Sequence, residues 1–454
     1  MSRPATQHKR AAYPAYKPSG VAWLGDVPEH WEIHRLKHVA SVQFSSVDKH
    51  TLEGEEPVRL CNYVDVYYND FIAAGIEFMS ASATQSEIAR FQLCRGDVLV
   101  TKDSESWDDI AVPSYVAEKL EGVLCGYHLA HIRPHPRKLL GEYLFRAFRS
   151  RGINDQFRVA ANGITRFGLG KYWLDNGLFP IPPLDEQRSI AAFLDRETAR
   201  IDALIEKKRR QIELLQEKRS ALINHAVTKG LDPNAKMKDS GIEWLGDVPE
   251  HWDFRRLKYT ASINDEALPE TTDPDYEFVY VDIGSVNAAK GIVATETYRF
   301  EDAPSRARRI VRDGDTIVST VRTYLRAIAP IRNPDDNLIV STGFAVVRPR
   351  KLDSGYLSYA LRSPFFVETV ESRSTGVSYP AINAPEVGNI GVTIPSLDEQ
   401  RAIAAFLDRE TARIDALIEK VEASIETLRE HRTALISAAV TGKIDVRKEV
   451  PDAR

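Results

Sequence analysis

Cys125, His128, His131 and His135 lie close together in the chain and are the residue types that hold a zinc ion. Alternation along an extended segment would send His128 and His131 to opposite faces, however, and the matching stretch of the second half, GFAVVRP (343–349), carries no such residues. No metal is therefore expected. Gly163 and Gly168 have the spacing of a phosphate loop, but Leu169 follows where Lys-Ser/Thr would be required. There is no Asn/Asp-Pro-Pro-Tyr/Phe string of the kind adenine methyltransferases use, and nothing resembles an acidic-plus-lysine nuclease core. With no catalytic residues and no cofactor motif in view, the expected chemistry is binding.

Charge points to what is bound. Residues 137–171 contain Arg137, Lys138, Arg146, Arg149, Arg151, Arg158, Arg166 and Lys171 against only Glu142 and Asp155. A weaker cluster spans 299–332, with eight Arg against Glu301, Asp302, Asp313 and Asp315. Such stretches can neutralise the phosphates of a nucleic acid even in a chain of net charge −5. Base readout needs polar groups on loops, since guanidinium pairs with guanine and hydroxyls or carboxylates meet other base edges. Two loops qualify, and each occurs twice in different form. Lys102, Ser104, Glu105 and Trp107 are matched by Arg322, Thr323, Tyr324 and Arg326, and Thr165 and Arg166 by Ser378 and Tyr379. With Arg158 and Lys171 from the basic stretch, these are the candidate DNA contacts. Gly163 and Gly376 in the second loop allow close backbone approach.

The elements that position these loops are set out by an internal repeat. SGVAWLGDVPEHWEIHRLKHVAS (19–41) returns as SGIEWLGDVPEHWDFRRLKYTAS (240–262). LDEQRSIAAFLDRETARIDALIEK (184–207) returns at 397–420 with one change, Ser189 to Ala402. Between these anchors lie two divergent segments, about 42–180 and about 263–393, that share a skeleton. GDVLVTK (96–102) matches GDTIVST (314–320) as a buried strand, GYHLAHIRP (126–134) matches GFAVVRP, and EYLFRAFRS (142–150) matches GYLSYALRS (355–363) with helical spacing. Both end in a Pro-rich strand before LDEQ. One α/β fold is used twice with different surface residues.

Each LDEQ opens a long helical pattern without Pro or Gly until Gly230 or Gly442, and Asp185 and Asp398 read as N-caps. Ile201, Ile205, Ile212, Leu215, Leu222 and Ala226 form one apolar seam. Ile414, Ile418, Val421, Ile425, Leu428, Leu435 and Ala439 form the other. This is a coiled-coil spacing over about three heptads, in helices about 65 Å long. Lys207, Lys208, Arg209 and Arg210 in one and Glu419, Glu422 and Glu426 in the other favour antiparallel pairing, which would close the chain into a pseudo-two-fold ring.

The bulk numbers agree with a soluble protein of 454 residues, 43% hydrophobic and 28% charged. Three cysteines without a Cys-x-x-Cys pair suit a reducing cytoplasm. No apolar run is long enough to span a membrane, and the basic N-terminus lacks the apolar stretch of a signal peptide.

WLGDVPEHW, the LDEQRxIAAFLD…RID helix start and the repeat–variable–repeat–variable layout together resemble the specificity subunits of Type I restriction–modification enzymes. The resemblance covers almost the whole chain. It implies two α/β target recognition domains, each reading half of an interrupted DNA target, joined by two long antiparallel coiled-coil helices. The expected division is 1–183 and 231–396 for the two repeat-plus-recognition segments, with the helices at 184–230 and 397–454. It also implies two methylation subunits as partners, restriction subunits in the full complex, and S-adenosylmethionine, ATP and Mg bound by those partners rather than by this chain. Two equal docking surfaces fit two copies of one partner. Trp23, Trp31, Trp244 and Trp252, four of the six tryptophans, are candidate anchors there, with Leu24, Leu245, Phe193 and Phe406. The same rings could instead fill a domain core. A coiled-coil scaffold with two protein-binding domains would suit the acidic net charge but not the divergence between the two copies.

Overall fold

The computed structural model describes residues 11–243 and 245–449. It divides into two compact units, Met1–Lys207 with Ala423–Arg454 and Lys208–Glu422. The division falls within both long helices, so each unit holds one α/β domain and a stretch of each helix.

The two domains repeat one sheet plan. In the first unit the strands Ala40–Phe44, Leu129–Pro134, Val98–Thr101 and Pro113–Val116 lie side by side, with Phe71–Ile72 added at the edge. In the second, Ala261–Ile263, Phe344–Pro349, Thr316–Ser319 and Ile328–Pro330 follow the same order. A second sheet pairs Val123–Cys125 in parallel with Glu56–Cys61, and Leu338–Ser341 in parallel with Glu277–Val281. The strands predicted from GDVLVTK and GDTIVST are buried along their whole length, as strands covered on both faces must be.

The Asp before each of these strands is also buried, and its charge is answered. Asp97 accepts from Cys94 N (2.8 Å), Arg133 Nε (2.8 Å) and His131 Nε2 (2.7 Å). Burial works against its ionisation, but the bonds from Arg133 and His131 prevail and hold it below the usual carboxylate range. Asp315 repeats the arrangement with Arg312 N (2.8 Å) and Arg348 (2.9 Å).

The long helices run Leu184–Lys229 and Leu397–Val440. Each begins one residue before the Asp expected to cap it, so Asp185 and Asp398 sit in the first turn, both exposed. The second helix is capped by Ser396, whose hydroxyl accepts from Glu399 N (3.3 Å) while its own N–H donates to the Glu399 carboxylate (3.2 Å). In the first helix this place is Pro183, which has no N–H to give.

The next two residues of LDEQ carry the structure. Buried Glu186 accepts from His30 Nε2 (2.8 Å), Trp31 Nε1 (3.0 Å) and the Tyr13 hydroxyl. Glu399 accepts from His251 Nε2 (2.8 Å) and Trp252 Nε1 (3.4 Å). Gln187 bonds Leu140 N (2.9 Å), Lys138 O (2.9 Å) and Pro182 O (2.8 Å), and Gln400 bonds Asp353 N and Pro395 O (both 2.8 Å).

The helices pair antiparallel in both units. Arg432 meets Asp202 (3.0 Å) in the first unit, and their repeat counterparts Arg219 and Asp415 meet (3.0 Å) in the second. Ile201, Ile205, Ile414, Val421, Ile425 and Leu435 of the predicted seam are buried. Arg210, from the central basic run, pairs along its own helix with Glu213 (2.7 Å) and Glu217 (3.6 Å).

Each helix end is met by the domain beside it. The Tyr143 hydroxyl lies 3.2 Å from Val440 O, and Thr393 Oγ1 donates to Val227 O (2.6 Å). Gly442 and Gly230 then take positive φ (72° and 79°), the usual way a helix stops. A Cβ at Gly442 would stand 2.3 Å from Pro28 and 3.3 Å from Trp31, and one at Gly230 would stand 3.2 Å from Trp252.

This joint predicts a contrast within LDEQ. Glu186→Ala should lower stability by roughly 3 kcal/mol, because it strands the Trp31, His30 and Tyr13 donors in a buried place. Asp185→Ala should cost less than about 1 kcal/mol. Thermal unfolding of the two variants measures the difference, and equal losses would show that Glu186 is not the joint.

Candidate nucleic-acid interface

In the first unit, Asp103–Ser104 pairs with Phe167–Gly168, which brings the two predicted readout loops together. Asn162 and Gly168 exchange backbone bonds (3.1 and 2.8 Å) that close the second loop. Its turn needs Gly163, at φ 150°, since a Cβ there would lie 1.9 Å from Arg166 O. Arg166 reaches across to His128 Nδ1 (3.2 Å), and His128 meets Asp103 (3.1 Å). Together with Tyr63, Val64, Tyr67, Tyr68, Ser104, Glu105, Ser106 and Asp109 they line an open cleft of about 610 Å³.

The aromatic wall comes from the short helix Tyr63–Tyr68, which Asn62 and Asp65 start with a capping box. Tyr63 and Tyr67 stack with centroids 5.6 Å apart. Tyr63 OH lies 3.2 Å from Ser104 Oγ, and its pKa is raised by burial. Tyr67 OH donates to Asp109 (3.1 Å), and that bond raises its pKa. Asp103, Glu105 and Asp109 make the cleft rich in acceptors, the groups that meet the amino edges of adenine and cytosine.

The second unit builds the corresponding place differently. Arg322 and Arg326 flank the turn Thr323–Leu325, both at φ 51°. The Arg322 guanidinium lies over the Tyr379 ring (5.2 Å). Arg326 grips Glu371 through two bonds of 2.8 Å. Thr323 is buried and donates to Ser374 Oγ (2.9 Å), while Tyr324, Ser378 and Tyr379 are exposed. This loop presents Arg322 where the first presents Glu105 beside Arg166, so the two copies differ in chemistry at one place.

The remaining candidates are placed variously. Lys102 is buried, paired to Asp103 (2.9 Å), with its ammonium over the Tyr127 ring (4.6 Å). Ser104 is buried within its strand, and Trp107 is exposed. Arg158 lies between Asp155 (3.7 Å) and Asp108 (3.9 Å), and Lys171 pairs with Asp175 (2.6 Å) on its own helix. Of the zinc-like set, Cys125 is buried, His128 turns to Asp103 and His131 to Asp97. Among the described residues no three His, Cys, Asp or Glu gather as metal ligands.

Other residues complete the surfaces: Tyr63, Tyr67 and Tyr68 in the first unit, His128, considered above only as a metal ligand, and the loop tips Ile164 and Val377. Both tips are fully exposed. The usable signal was a β-branched apolar residue after Gly at the same point of two otherwise polar loops.

A family model for the Type I restriction modification DNA specificity domain matches residues 28–214 and 249–427. The chain belongs to this family. The two matches start within the two repeat segments and end in the two long helices, so the specificity domain occurs twice. A putative type I restriction enzyme specificity subunit, MjaX of Methanocaldococcus jannaschii, is 25% identical over 93% of this chain and 96% of its own. The EcoKI specificity subunit of Escherichia coli is 32% identical over 22% of each chain. Among solved structures, a chain from a study of assembly and conformational transition in the type I R-M system gives a TM-score of 0.67 at 18% identity, covering 91% of this chain and 98% of that one. The HsdS subunit from Thermoanaerobacter tengcongensis gives 0.51 at 19%, covering 92% and 98%. These two establish the shared fold.

The candidate partner anchors of the specificity repeats separate by burial. Trp31 and Trp252 fill the cores of their units, Leu24, Leu245 and Phe193 are buried, and Phe406 packs half-buried against the cluster around Trp252. Trp23 remains 41% exposed. Trp244 lies outside the described residues.

Gly163→Ala should open the first readout loop, since the added methyl cannot coexist with Arg166 O. Amide exchange across 160–170 should accelerate at least about tenfold, as expected when a local structural unit loses protection. Unchanged exchange would mean that the loop does not depend on this turn.

Proposed function

We propose that this chain is the DNA-reading subunit of a Type I restriction–modification complex and that its two specificity domains each read one half of an interrupted duplex target. One observation carries this reading: the same domain occurs twice with loops of unlike chemistry at one place. Asp103, Glu105 and Asp109 border the cleft of the first, and Arg322 with Tyr379 and Arg326 with Glu371 form the face of the second. Two loops of unlike chemistry on one frame are what a target with two different halves requires.

In this proposal Arg166, Glu105, Thr165, Tyr324, Arg322, Ser378 and Tyr379 meet bases or the adjoining backbone, and Ile164 and Val377 make apolar contacts in a groove, where thymine methyls and base steps offer apolar surface. Trp23 anchors a methylation subunit, and the repeat supplies a second such site. Restriction subunits join through the complex. Methylation and cleavage, with S-adenosylmethionine, ATP and Mg, belong to those partners. The complex works in the cytoplasm; among the described residues no helix is long and apolar enough to cross a membrane.

Exchanging residues 42–180 for the equivalent domain of another specificity subunit should change one half of the methylated sequence in the host genome and leave the other intact. A map in which both halves change would overturn independent reading. Arg166→Ala should weaken binding to the mapped target by about 1–3 kcal/mol while changing random-duplex binding less. Equal losses on both would make Arg166 a phosphate contact.

A further inference from the structure

The repeat provides an internal comparison at one half-buried arginine. Arg149 caps the helix Gly141–Phe148 and Arg362 ends the matching helix Ser354–Arg362, and each lies beside an arginine of a long helix, Arg432 and Arg219 respectively. In the first unit a carboxylate stands between them: Asp70 pairs with Arg149 and with Arg432 (3.5 Å). In the second unit the turn on that side is formed by Asn287, Ala288 and Ala289, which bring no acid. Arg362 Nε donates to Ser358 O (3.0 Å) and its guanidinium lies over the Tyr359 ring (4.6 Å). Among the described residues no carboxylate pairs with it.

An open cleft of about 390 Å³ fills the place of the missing carboxylate. Its polar lining is Gln216, Arg219, Ser220, Asn287, Arg326 and Arg362. Arg219 also holds Asp415 and Arg326 holds Glu371, so two guanidiniums are neutralised and the third is not. Burial lowers the pKa of Arg362, and the neighbouring Arg219 and Arg332 charges add to this, partly offset by Tyr359. A half-buried cation among cations gains most from an anion that several planar forks can share.

We propose that this cleft of the second unit binds a phosphate group, taking the role that Asp70 plays in the first. A phosphate fits better than a lone carboxylate because its oxygens can meet Arg362, Arg219 and the side chains of Ser220 and Asn287 together. The group comes either from a small phosphate-bearing molecule or from a DNA backbone. The cleft shares Arg326 with the face proposed to read DNA, but Arg362, Arg219, Ser220 and Asn287, which would hold the phosphate, are not among the proposed base contacts.

The test uses the full chain and inorganic phosphate, titrated against chloride at matched ionic strength, with calorimetry and thermal unfolding as readouts. The wild type should bind one phosphate saturably and gain thermal stability. Ala288→Asp, which imports the first unit's solution, should weaken phosphate binding at least tenfold while unfolding no earlier than the phosphate-free wild type. Arg362→Gln should also abolish binding. It is the less decisive variant, because the loss of a buried group can itself unfold the domain. Duplex binding by Ala288→Asp separates the sources. A weaker affinity with a salt slope shallower by about one phosphate assigns the site to the DNA backbone. Unchanged duplex binding with lost phosphate binding assigns it to a small molecule. The proposal fails if the wild type shows no saturable response, or if Ala288→Asp binds phosphate as the wild type does. Loss of methylation-subunit binding alone would mark the cleft as a seat for an acidic protein side chain and would also overturn it.

Discussion

The Trp-to-Glu bond at the start of each long helix is the contact on which the rest of each unit depends. A buried carboxylate is expensive unless donors surround it, and the first turn of a helix is where its charge is most favoured. Buried Glu186 meets both conditions with Trp31, His30 and Tyr13, and the more exposed Glu399 makes the matching bonds with Trp252, His251 and Ser396. Trp31 in turn lies against Gly442, where the other long helix ends, and Trp252 against Gly230. One indole thus ties the beginning of one helix to the end of its neighbour. The recognition domain joins at the same point, through Tyr143 to the carbonyl of Val440 and through Thr393 to that of Val227.

The last turns show that geometry, more than residue order, is what the repeat preserves. The first long helix ends Thr228, Lys229, Gly230, and the second Thr441, Gly442, Lys443. Lysine and glycine have changed places, yet both ammoniums reach the same target. Lys229 Nζ donates to Asp247 O, and Lys443 Nζ donates to Asp26 O (2.6 Å), the matching positions of the two repeat segments. A long flexible stem lets the lysine absorb the one-residue shift, and the glycine, shifted by the same amount, still meets its tryptophan in both copies.

These particulars explain what could be read from the sequence. The strands, the helix pair and the twofold repeat follow from apolar periodicity and self-similarity, which are local or pairwise properties. The joint was visible only as a repeated motif. Asp185 read as the cap, whereas Glu186 and Gln187 hold the structure, because their partners lie over a hundred residues away in Trp31 and fifty residues away in Leu140 and Lys138. Of the residues proposed to read DNA, Arg166, Glu105 and Tyr379 are exposed. Lys102, Ser104 and Thr323 turned inward, since a polar residue beside a strand can satisfy itself against a neighbouring chain segment as readily as against a ligand. Tyr63, Tyr67 and Tyr68 went unnoticed because nothing in their own stretch says which cleft they border.

A frame held this way can tolerate change at its loops. Asp97 with Arg133 and Asp315 with Arg348 secure the turn before the central strand in each domain, and that strand leads into the first readout loop. Beyond the strand, one copy continues into Asp103 and Glu105 and the other into Arg322 and Arg326, without altering the order of the sheet. The energy of the domain resides in contacts beneath the loops, so exposed residues can exchange acceptors for donors at little cost to stability. Charge drawn part-way into the fold is different, as Arg149 and Arg362 show. There the two copies diverge at a position that must be electrically answered, and only one of them carries the answer within its own chain.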